Sequence, residues 1–292
     1  MASKAFKEML ASKQFITAPG VFDLVSAKIA DRTAAHAIYM TGYGTVASYL
    51  GQPDAGLATY TDMLDRAAAI ADAISKPLIA DGDTGYGGLL NVHHTVRGYE
   101  KAGVTVIQLE DQVIPKKCGH TPNRQVVATE EMVNKIRVAS DARSSRDFLI
   151  LARTDARTSF GLDEALRRGE AYFNAGADIL FVEAPESENE MKKIGAAFDK
   201  PLLSNQLHGG KTPILPQKDL RQMGFSLAIY PTVGLFAAAR ALQNVYNSLA
   251  KEELVTQPLC AFDDFVEMIG FQQIWDFEQK YADFLNEEVA AG

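Results

Sequence analysis

The fold of this chain is decided by residues 76–111, KPLIADGDTGYGGLLNVHHTVRGYEKAGVTVIQLED. Two short apolar runs, 76–83 and 104–111, flank a stretch with the amphipathic pattern of a helix. This order is typical of a βαβ unit, in which two parallel strands are joined by a crossover helix. The segment therefore predicts an α/β fold whose strands end in acidic residues.

The same alternation repeats from residue 15 to about residue 250. Each apolar run is followed by a helical candidate, and the runs are FITAPG, HAIYMTG, KPLIADGD, VTVIQLED, DFLILARTD, ADILFVEA, KPLLSNQ and FSLAIYPT. An open doubly wound sheet would need a crossover break, and the regular spacing shows none. The pattern predicts a (β/α)8 TIM-type barrel, a fold that reaches 292 residues as a single domain.

The C-terminal part of the chain, residues 255–292, is predicted to be a helical extension of a single domain formed by residues 1–292. Its pattern is that of one or two amphipathic helices rich in aromatic residues. A helix this apolar needs a partner surface. The sequence leaves open whether that surface is a neighbouring subunit or the chain's own barrel.

The composition narrows the possible functions. The formal net charge is -8 and no long basic stripe occurs, which argues against binding to a nucleic-acid backbone. Two cysteines are too few for a disulfide framework, and the N-terminus lacks the apolar run of a secretion signal. The apolar runs are also too short to cross a bilayer as helices. We therefore expect a cytoplasmic protein without nucleic-acid or membrane partners.

Polar residues stand at the carboxyl end of almost every predicted strand. In a barrel these ends build the active site, so the side chains are expected to ring one mouth. Helix caps or buried ion pairs would explain one or two such residues, but not a set this large. They are Asp23, Thr41, Tyr43, Asp81, Asp83, Glu110, Asp111, Arg153, Asp155, Glu183, Asn205 and Tyr230.

Asp81 and Asp83 form a candidate metal site. They alternate along one strand and so share a face, where two carboxylates repel each other unless a cation lies near them. Hard oxygen ligands suit Mg²⁺ or Mn²⁺, and Glu110 is available from the adjacent strand. The alternative is an ordinary Asp turn after a strand, and the third carboxylate favours the metal.

The segment 115–120, PKKCGH, places a thiol in a long loop after the fourth strand. Basic residues adjoin Cys118, and nearby positive charge lowers the pKa of a thiol. A Cys beside basic residues is nevertheless often inert. A nucleophilic pair with His120 is disfavoured, because sequence neighbours rarely point at each other. Loops of this length are often lids that exclude water from a reaction.

Two short segments imitate phosphate-binding loops. One is Gly42-Tyr43-Gly44 after the second strand, and the other is HGGKT at 208–212. The first does not open the first βα unit as a dinucleotide fingerprint does, and the second lacks the leading Gly of a P-loop. Neither is interpreted as a phosphate site.

Taken together, these residues resemble the isocitrate lyase and phosphoenolpyruvate mutase superfamily over essentially the full chain. The resemblance implies a barrel that assembles as a homotetramer and exchanges a C-terminal helix between neighbouring subunits. It rests, in the family's order and spacing, on LGQPDAG around Asp54, ADGDTGYG (80–87), LEDQ (109–112), PKKCGH (115–120), ARTDAR (152–157) and VEAPE around Glu183.

The resemblance also implies roles for individual residues. Cys118 would be the acid that protonates the departing carbanion or enolate, and Arg153 would supply a fixed bidentate cation. The implied set comprises Asp81, Asp83 and Glu110 for Mg²⁺ or Mn²⁺; Thr41, Gly42, Tyr43, Gly119, His120, Glu183 and Asn205 for substrate binding; and Cys118, Arg153 and Asp54 for catalysis.

The reaction implied by the family is retro-aldol cleavage of a 2-hydroxy dicarboxylate, through an enolate, to a 2-oxo acid such as pyruvate. Oxaloacetate hydrolysis and phosphonate chemistry, as in phosphoenolpyruvate or carboxyphosphonoenolpyruvate mutases, are alternatives on the same scaffold. The alternative from a different functional class is a barrel without catalytic activity that serves binding or assembly. Methylisocitrate lyases of the family place an Arg at the position of Phe236. An apolar residue there favours a substrate with a smaller or more apolar distal group than methylisocitrate, either a 2-alkylmalate or dimethylmalate, or oxaloacetate, which would be hydrolysed to oxalate and acetate.

Overall fold

A computed structural model describes residues 2–121 and 123–290 of the protein, with the backbone alone for 283–290. A π-helical segment, Val46–Leu50, directly continues the third helix. Within the described residues the α-helices are α1 (Ala2–Ala11), α2 (Leu24–Asp31), α3 (Gly42–Thr45), α4 (Tyr60–Ala73), α5 (Leu89–Lys101), α6 (Thr129–Ala142), α7 (Ala156–Phe160), α8 (Leu162–Asn174), α9 (Glu188–Ala197), α10 (Gln217–Gln222), α11 (Val233–Ala250), α12 (Phe262–Ile269) and α13 (Phe271–Ala290).

Eight parallel strands in the described part of the chain close into a barrel, with the last strand paired to the first. Seven strands lie within the predicted runs and β1 extends one residue beyond its run, so the predicted (β/α)8 barrel is confirmed. The strands are β1 (Ile16–Val21), β2 (Ile38–Met40), β3 (Leu78–Asp81), β4 (Val106–Glu110), β5 (Leu149–Thr154), β6 (Ile179–Val182), β7 (Leu202–Asn205) and β8 (Leu227–Tyr230).

Two apolar clusters cover the two faces of the barrel sheet. Successive side chains of a strand point to opposite faces, so Ile79 joins the inner cluster while Leu78 and Ala80 join the outer one. Phe6 of α1 is fully buried in the inner cluster. Because both faces are covered, the strands are mostly apolar until their carboxyl ends, with Thr17 in β1 and the buried Gln108 in β4 as polar exceptions. The strand register then places Glu110 beside Arg153 at one mouth.

The chain divides into two compact units, one ending at Ala238 and the other beginning at Ala239. The second unit contains the end of α11 together with α12 and α13. Among the described residues, no helix is both long and apolar enough to span a membrane. Two expectations stay predictions, namely the assignment of residues 255–292 as an extension of a single domain and the exchange of the C-terminal helix between subunits.

Candidate active site

A cavity of about 380 Å³ opens at the carboxyl end of the barrel. Three further predicted site residues contact its lining: Gly42 packs against the Asp81 carboxylate, Asp83 hydrogen-bonds to Asp81, and Glu110 pairs with Arg153. The predicted residues that line the cavity directly are Thr41, Tyr43, Asp54, Asp81, Cys118, Gly119, His120, Arg153, Glu183 and Asn205.

The segment after β2 brings backbone close to this acidic floor. Thr41 caps α3, and its hydroxyl accepts a hydrogen bond from the Gly44 N–H at 3.4 Å. A Cβ on Gly42 would overlap the Asp81 carboxylate, so only glycine lets the start of α3 approach this closely. Thr41 and Tyr43 thereby reach the cavity from a fixed turn.

The Arg153 guanidinium is surrounded by carboxylates. Its Nε and Nη2 donate to Asp155 at 2.9 Å each, which forms a bidentate pair. Glu110 lies 3.4 Å from Nη1 and Glu183 lies 3.3 Å from Nη2. Burial lowers the pKa of Arg153, but these three carboxylates outweigh it and hold the pKa well above its usual value. A permanent cation therefore faces the cavity.

Glu183 links two other predicted substrate-binding residues, His120 and Asn205. One of its oxygens lies 3.1 Å from His120 Nε2, and the Asn205 amide donates to both oxygens at 3.3 and 3.4 Å. Burial raises the pKa of Glu183, but Arg153, His120 and the Ala184 N–H outweigh it and lower the pKa to about 2. Glu183 is therefore ionised and orients the side chains around it.

Lys116 occupies the acidic part of the site. Its ammonium lies 2.7 Å from Asp54 Oδ1 and 2.7 Å from Asp83 Oδ1, and the side chain is 5% exposed. Burial lowers the pKa of Lys116, but Asp83, Glu110, Asp81 and Asp54 together raise it well above its usual value. Lys116 is thus a second permanent cation of the site, which the sequence motif presented only as a neighbour of the thiol.

The predicted metal ligands lie near one another but do not form a ready-made ligand set. In the described part of the chain, no three His, Cys, Asp or Glu side chains are grouped so that they could hold a metal ion. Their chemistry nevertheless fits a hard cation. Neither oxygen of the buried Glu110 has a hydrogen-bond partner among the described residues, and Asp81 and Asp83 add further carboxylates.

The loop between β4 and α6, residues 112–128, places Cys118 at the cavity; Pro122 lies outside the described residues. A bridge between Gln112 and Val126 closes its base, and the Gln112 side chain bonds to the Lys117 backbone at 2.8 and 2.9 Å. The Cys118 N–H donates to the Asp54 carbonyl at 3.2 Å. The loop therefore folds over the mouth of the barrel.

The expectation that neighbouring charge lowers the pKa of Cys118 is wrong. Burial raises the pKa of this thiol, and together with Asp54 and Glu183 it outweighs the His120 N–H and Arg153, which lower the pKa. Lys116 pairs with carboxylates instead of the thiol, and the His120 imidazole contacts Glu183. Cys118 is thus a neutral thiol suited to giving up a proton, and the geometry does not favour a nucleophilic Cys118–His120 pair.

Tyr43 packs edge-on against Phe236, with ring centroids 6.5 Å apart, so part of the cavity lining is apolar. Sequence reasoning missed several other cavity residues. Residues 207–210 line the cavity, although 208–210 belong to the HGGKT segment that was not interpreted as a phosphate site, and Gly210 packs against the His120 ring. The strand alternation could have indicated the inward-facing Tyr39, Phe181 and Ile229, whereas the loop residues carried no such signal.

Comparisons with known proteins agree with this geometry. Residues 6–250 match the family described as phosphoenolpyruvate phosphomutase. The chain is 48% identical over 279 residues to the 2,3-dimethylmalate lyase of Eubacterium barkeri, which covers 94% of this chain and 96% of that protein. A solved structure of oxaloacetate acetylhydrolase, in complex with the inhibitor 3,3-difluorooxalacetate, is also similar. The TM-score is 0.92 at 35% sequence identity, and the match covers 96% of this chain and 97% of that chain.

A phosphonopyruvate hydrolase in complex with oxalate and Mg²⁺ is also similar, with a TM-score of 0.87, 30% identity, and coverage of 97% of this chain and 99% of that one. Each of these matches spans nearly the whole chain. The family match, the close lyase relative and the barrel with its polar mouth agree. The chain therefore belongs to the phosphoenolpyruvate phosphomutase family, within the isocitrate lyase and phosphoenolpyruvate mutase superfamily, and is an enzyme of the carbon–carbon lyase kind.

Proposed function

We propose that this enzyme is a Mg²⁺-dependent lyase that cleaves a 2-alkylmalate or dimethylmalate to a 2-oxo acid such as pyruvate. The observation that carries the proposal is the mixed lining of the cavity, where Arg153 and Cys118 share one space with the apolar Phe236. A cation suits the carboxylates of the substrate, and the apolar group suits an alkyl substituent. The 48% identity to a 2,3-dimethylmalate lyase supports this substrate class.

The residues of the chain divide the chemistry among themselves. Arg153 binds and orients a substrate carboxylate, while Thr41 and Tyr43 complete its surroundings. Asp81, Asp83 and Glu110 would hold the cation. When bound, Mg²⁺ would supply positive charge beside the oxygen on which negative charge develops. Lys116 and the loop around it keep water from this part of the site.

Cleavage breaks one O–H and one C–C bond of the substrate and moves two protons. The hydroxyl gives its proton to a carboxylate of the cavity lining, and the electron pair of the O–H bond forms the carbonyl as the bond to the neighbouring carbon breaks. The electron pair of that bond forms an enolate on the other fragment. The neutral Cys118 thiol then donates its proton to the enolate carbon, and its raised pKa keeps that proton on the sulfur until the enolate forms. In the reverse direction Cys118 would act as the base.

A second candidate is oxaloacetate hydrolysis to oxalate and acetate. The similarity to oxaloacetate acetylhydrolase, with a TM-score of 0.92, favours this alternative. Phosphonate chemistry is a third alternative on this scaffold. The proposed substrate or product in the first two cases is a small 2-hydroxy or 2-oxo dicarboxylate.

A turnover panel tests the proposal. Purified protein with Mg²⁺ is incubated with 2,3-dimethylmalate, 2-ethylmalate, 2-methylisocitrate, oxaloacetate or phosphonopyruvate, and the products are followed by NMR. A 2-oxo acid from an alkylmalate is the expected result. Oxalate from oxaloacetate alone would replace the lyase with the hydrolase, and turnover of phosphonopyruvate alone would overturn both.

The thiol has its own test in Cys118→Ser, with the exposed cysteine variant Cys260→Ser as its matched control. A hydroxyl is a far weaker acid than a thiol, so we expect kcat to fall roughly 100-fold or more in C118S. Binding of oxalate, an enolate mimic, should stay within about 3-fold, because binding needs no proton transfer. Loss of oxalate affinity together with kcat would indicate that Cys118 has a structural role.

A further inference from the structure

The orientation of Arg153 depends mainly on Asp155. Asp155 receives two hydrogen bonds of 2.9 Å from the guanidinium, whereas Glu110 and Glu183 lie at 3.4 and 3.3 Å. A bidentate pair fixes the plane of a guanidinium, which a single longer contact does not. Whatever holds the Asp155 carboxylate therefore also sets the direction in which Arg153 faces the cavity.

Asp155 is held in turn from two sides. Its backbone N–H donates to Asp111 Oδ1 at 2.9 Å, which fixes the main chain just after β5. Its side-chain Oδ1 lies 3.2 Å from Nη1 of Arg124. This is the same oxygen that accepts the hydrogen bond from Nη2 of Arg153. Two guanidinium groups thus share one carboxylate.

Arg124 belongs to the loop that carries Cys118, and its side chain is 1% exposed. Its Nη2 donates to the Thr158 hydroxyl, and its backbone carbonyl accepts from the Ser159 hydroxyl at 3.3 Å. Arg153 faces three carboxylates, so Arg124 adds positive charge at Asp155 as well as a hydrogen bond from a second direction. Removing a guanidinium from water is unfavourable unless its partners are well placed. Arg124 therefore holds the Asp155 carboxylate both by charge and by direction.

We infer that Arg124 is a positioning residue. By fixing Oδ1 of Asp155, it holds the Arg153 guanidinium in the orientation that the substrate meets. Because Arg124 and Cys118 lie on one loop, the loop that carries the proton donor also orients the cation. The inference rests on the proposed function, which assigns the roles of Arg153 and Cys118.

The test compares Arg124→Met with the matched control Arg157→Met. Arg157 lies on α7, and its guanidinium pairs with Glu186 and Glu190 at 2.7 Å each, residues outside the cavity lining. For both variants we measure steady-state kinetics with the best substrate of the panel, oxalate affinity by calorimetry, and the melting temperature. We expect kcat of R124M to fall about 10- to 100-fold with KM within about 3-fold, because a misdirected Arg153 still attracts the substrate carboxylate but no longer orients it for cleavage.

Oxalate affinity of R124M should weaken about 10-fold for the same reason, since the dianion imitates the enolate. R157M should keep the kcat and oxalate affinity of the wild type. Unchanged kcat and oxalate affinity in R124M, or an equal loss in R157M, would overturn the inference. If R124M does not fold, Thr158→Val is tested in its place, because it removes one hydrogen bond of Arg124. We expect kcat of T158V to fall about 3-fold, as the loss of one hydrogen bond would cause. A wild-type kcat in T158V would overturn the inference. If the wild type turns over no compound of the panel, the proposed function fails, and the oxalate comparison still decides the role of Arg124.

Discussion

Gly119 determines how closely the loop can approach the Arg153 guanidinium. A Cβ at this position would overlap Nη2 of Arg153 and lie 2.8 Å from Oε2 of Glu183. Gly119→Ala should therefore prevent the loop from packing against Arg153 and Glu183. We expect kcat/KM to fall about 10- to 100-fold in steady-state kinetics. The control is Gly88→Ala, where the added Cβ meets no atom of the described residues within 4 Å. Wild-type kcat/KM in G119A would contradict this packing argument.

Glu183 gives the site a pH-dependent contribution to stability. Its pKa is lowered from 4.5 to about 2 in the folded protein. Such a carboxyl group stabilises the fold above the pKa of the unfolded chain, and this contribution is lost as pH falls through the folded value. The difference in the free energy of unfolding between the wild type and Glu183→Gln should therefore shrink by about 2 kcal/mol from about pH 7 to about pH 3. Urea unfolding at both pH values measures it, and a constant difference would refute the prediction.

Individual site residues were predictable where they stand at strand ends. Asp81, Arg153, Glu183 and Asn205 follow directly from the alternation of the strands, because the barrel closes and brings those ends together. The partner of Lys116 was not predictable. Sequence proximity suggested that its charge acts on Cys118, but the loop carries the ammonium to Asp54 and Asp83. Only the path of the loop decides between these outcomes.

At the scale of elements, the loop 112–128 depends on a small number of buried contacts. Lys116→Met would leave Asp54 and Asp83 without the cation that lies 2.7 Å from each. We expect the loop to open more often, with backbone amide exchange in residues 112–121 faster by about 10-fold or more in hydrogen-exchange mass spectrometry.

Lys117→Met is the matched control for this change. The neighbouring Lys117 is exposed, and its ammonium reaches the Asn123 carbonyl at 3.3 Å. Exchange in K117M should stay close to that of the wild type. Equal acceleration in both variants would mean that the buried ion pairs of Lys116 do not hold the loop.

The elements themselves were largely predictable, because apolar runs of strand length recur between helical patterns. The segment after β2 was not. There a three-residue strand is followed by α3 and a π-helical segment, Val46–Leu50, at a motif that only imitates a dinucleotide fingerprint and was not interpreted as one. Glycines allow either conformation, and the close approach of Gly42 to Asp81 selects the observed one. Such a tertiary contact leaves no local pattern in the sequence.

At the scale of the whole molecule, the C-terminal helices present apolar side chains that one chain leaves exposed. Phe262 is 81% exposed and Trp275, the single tryptophan of the sequence, is 50% exposed. Exposed apolar surface of this kind marks an interaction site. We expect a homotetramer in which a neighbouring subunit covers this surface, as the family resemblance implies.

Trp275 reports on that assembly. Its emission should lie at short wavelength in the assembled protein and shift to longer wavelength on dilution, in step with the mass measured by light scattering. Ile274→Asp should give the smaller species at all concentrations, because a charge would be buried at the contact. Gln272→Asp adds the same charge to roughly the opposite side of α13 and should assemble normally. A wild-type monomer with short-wavelength emission at every concentration would instead mean that the helix covers its own barrel, the alternative that the sequence left open.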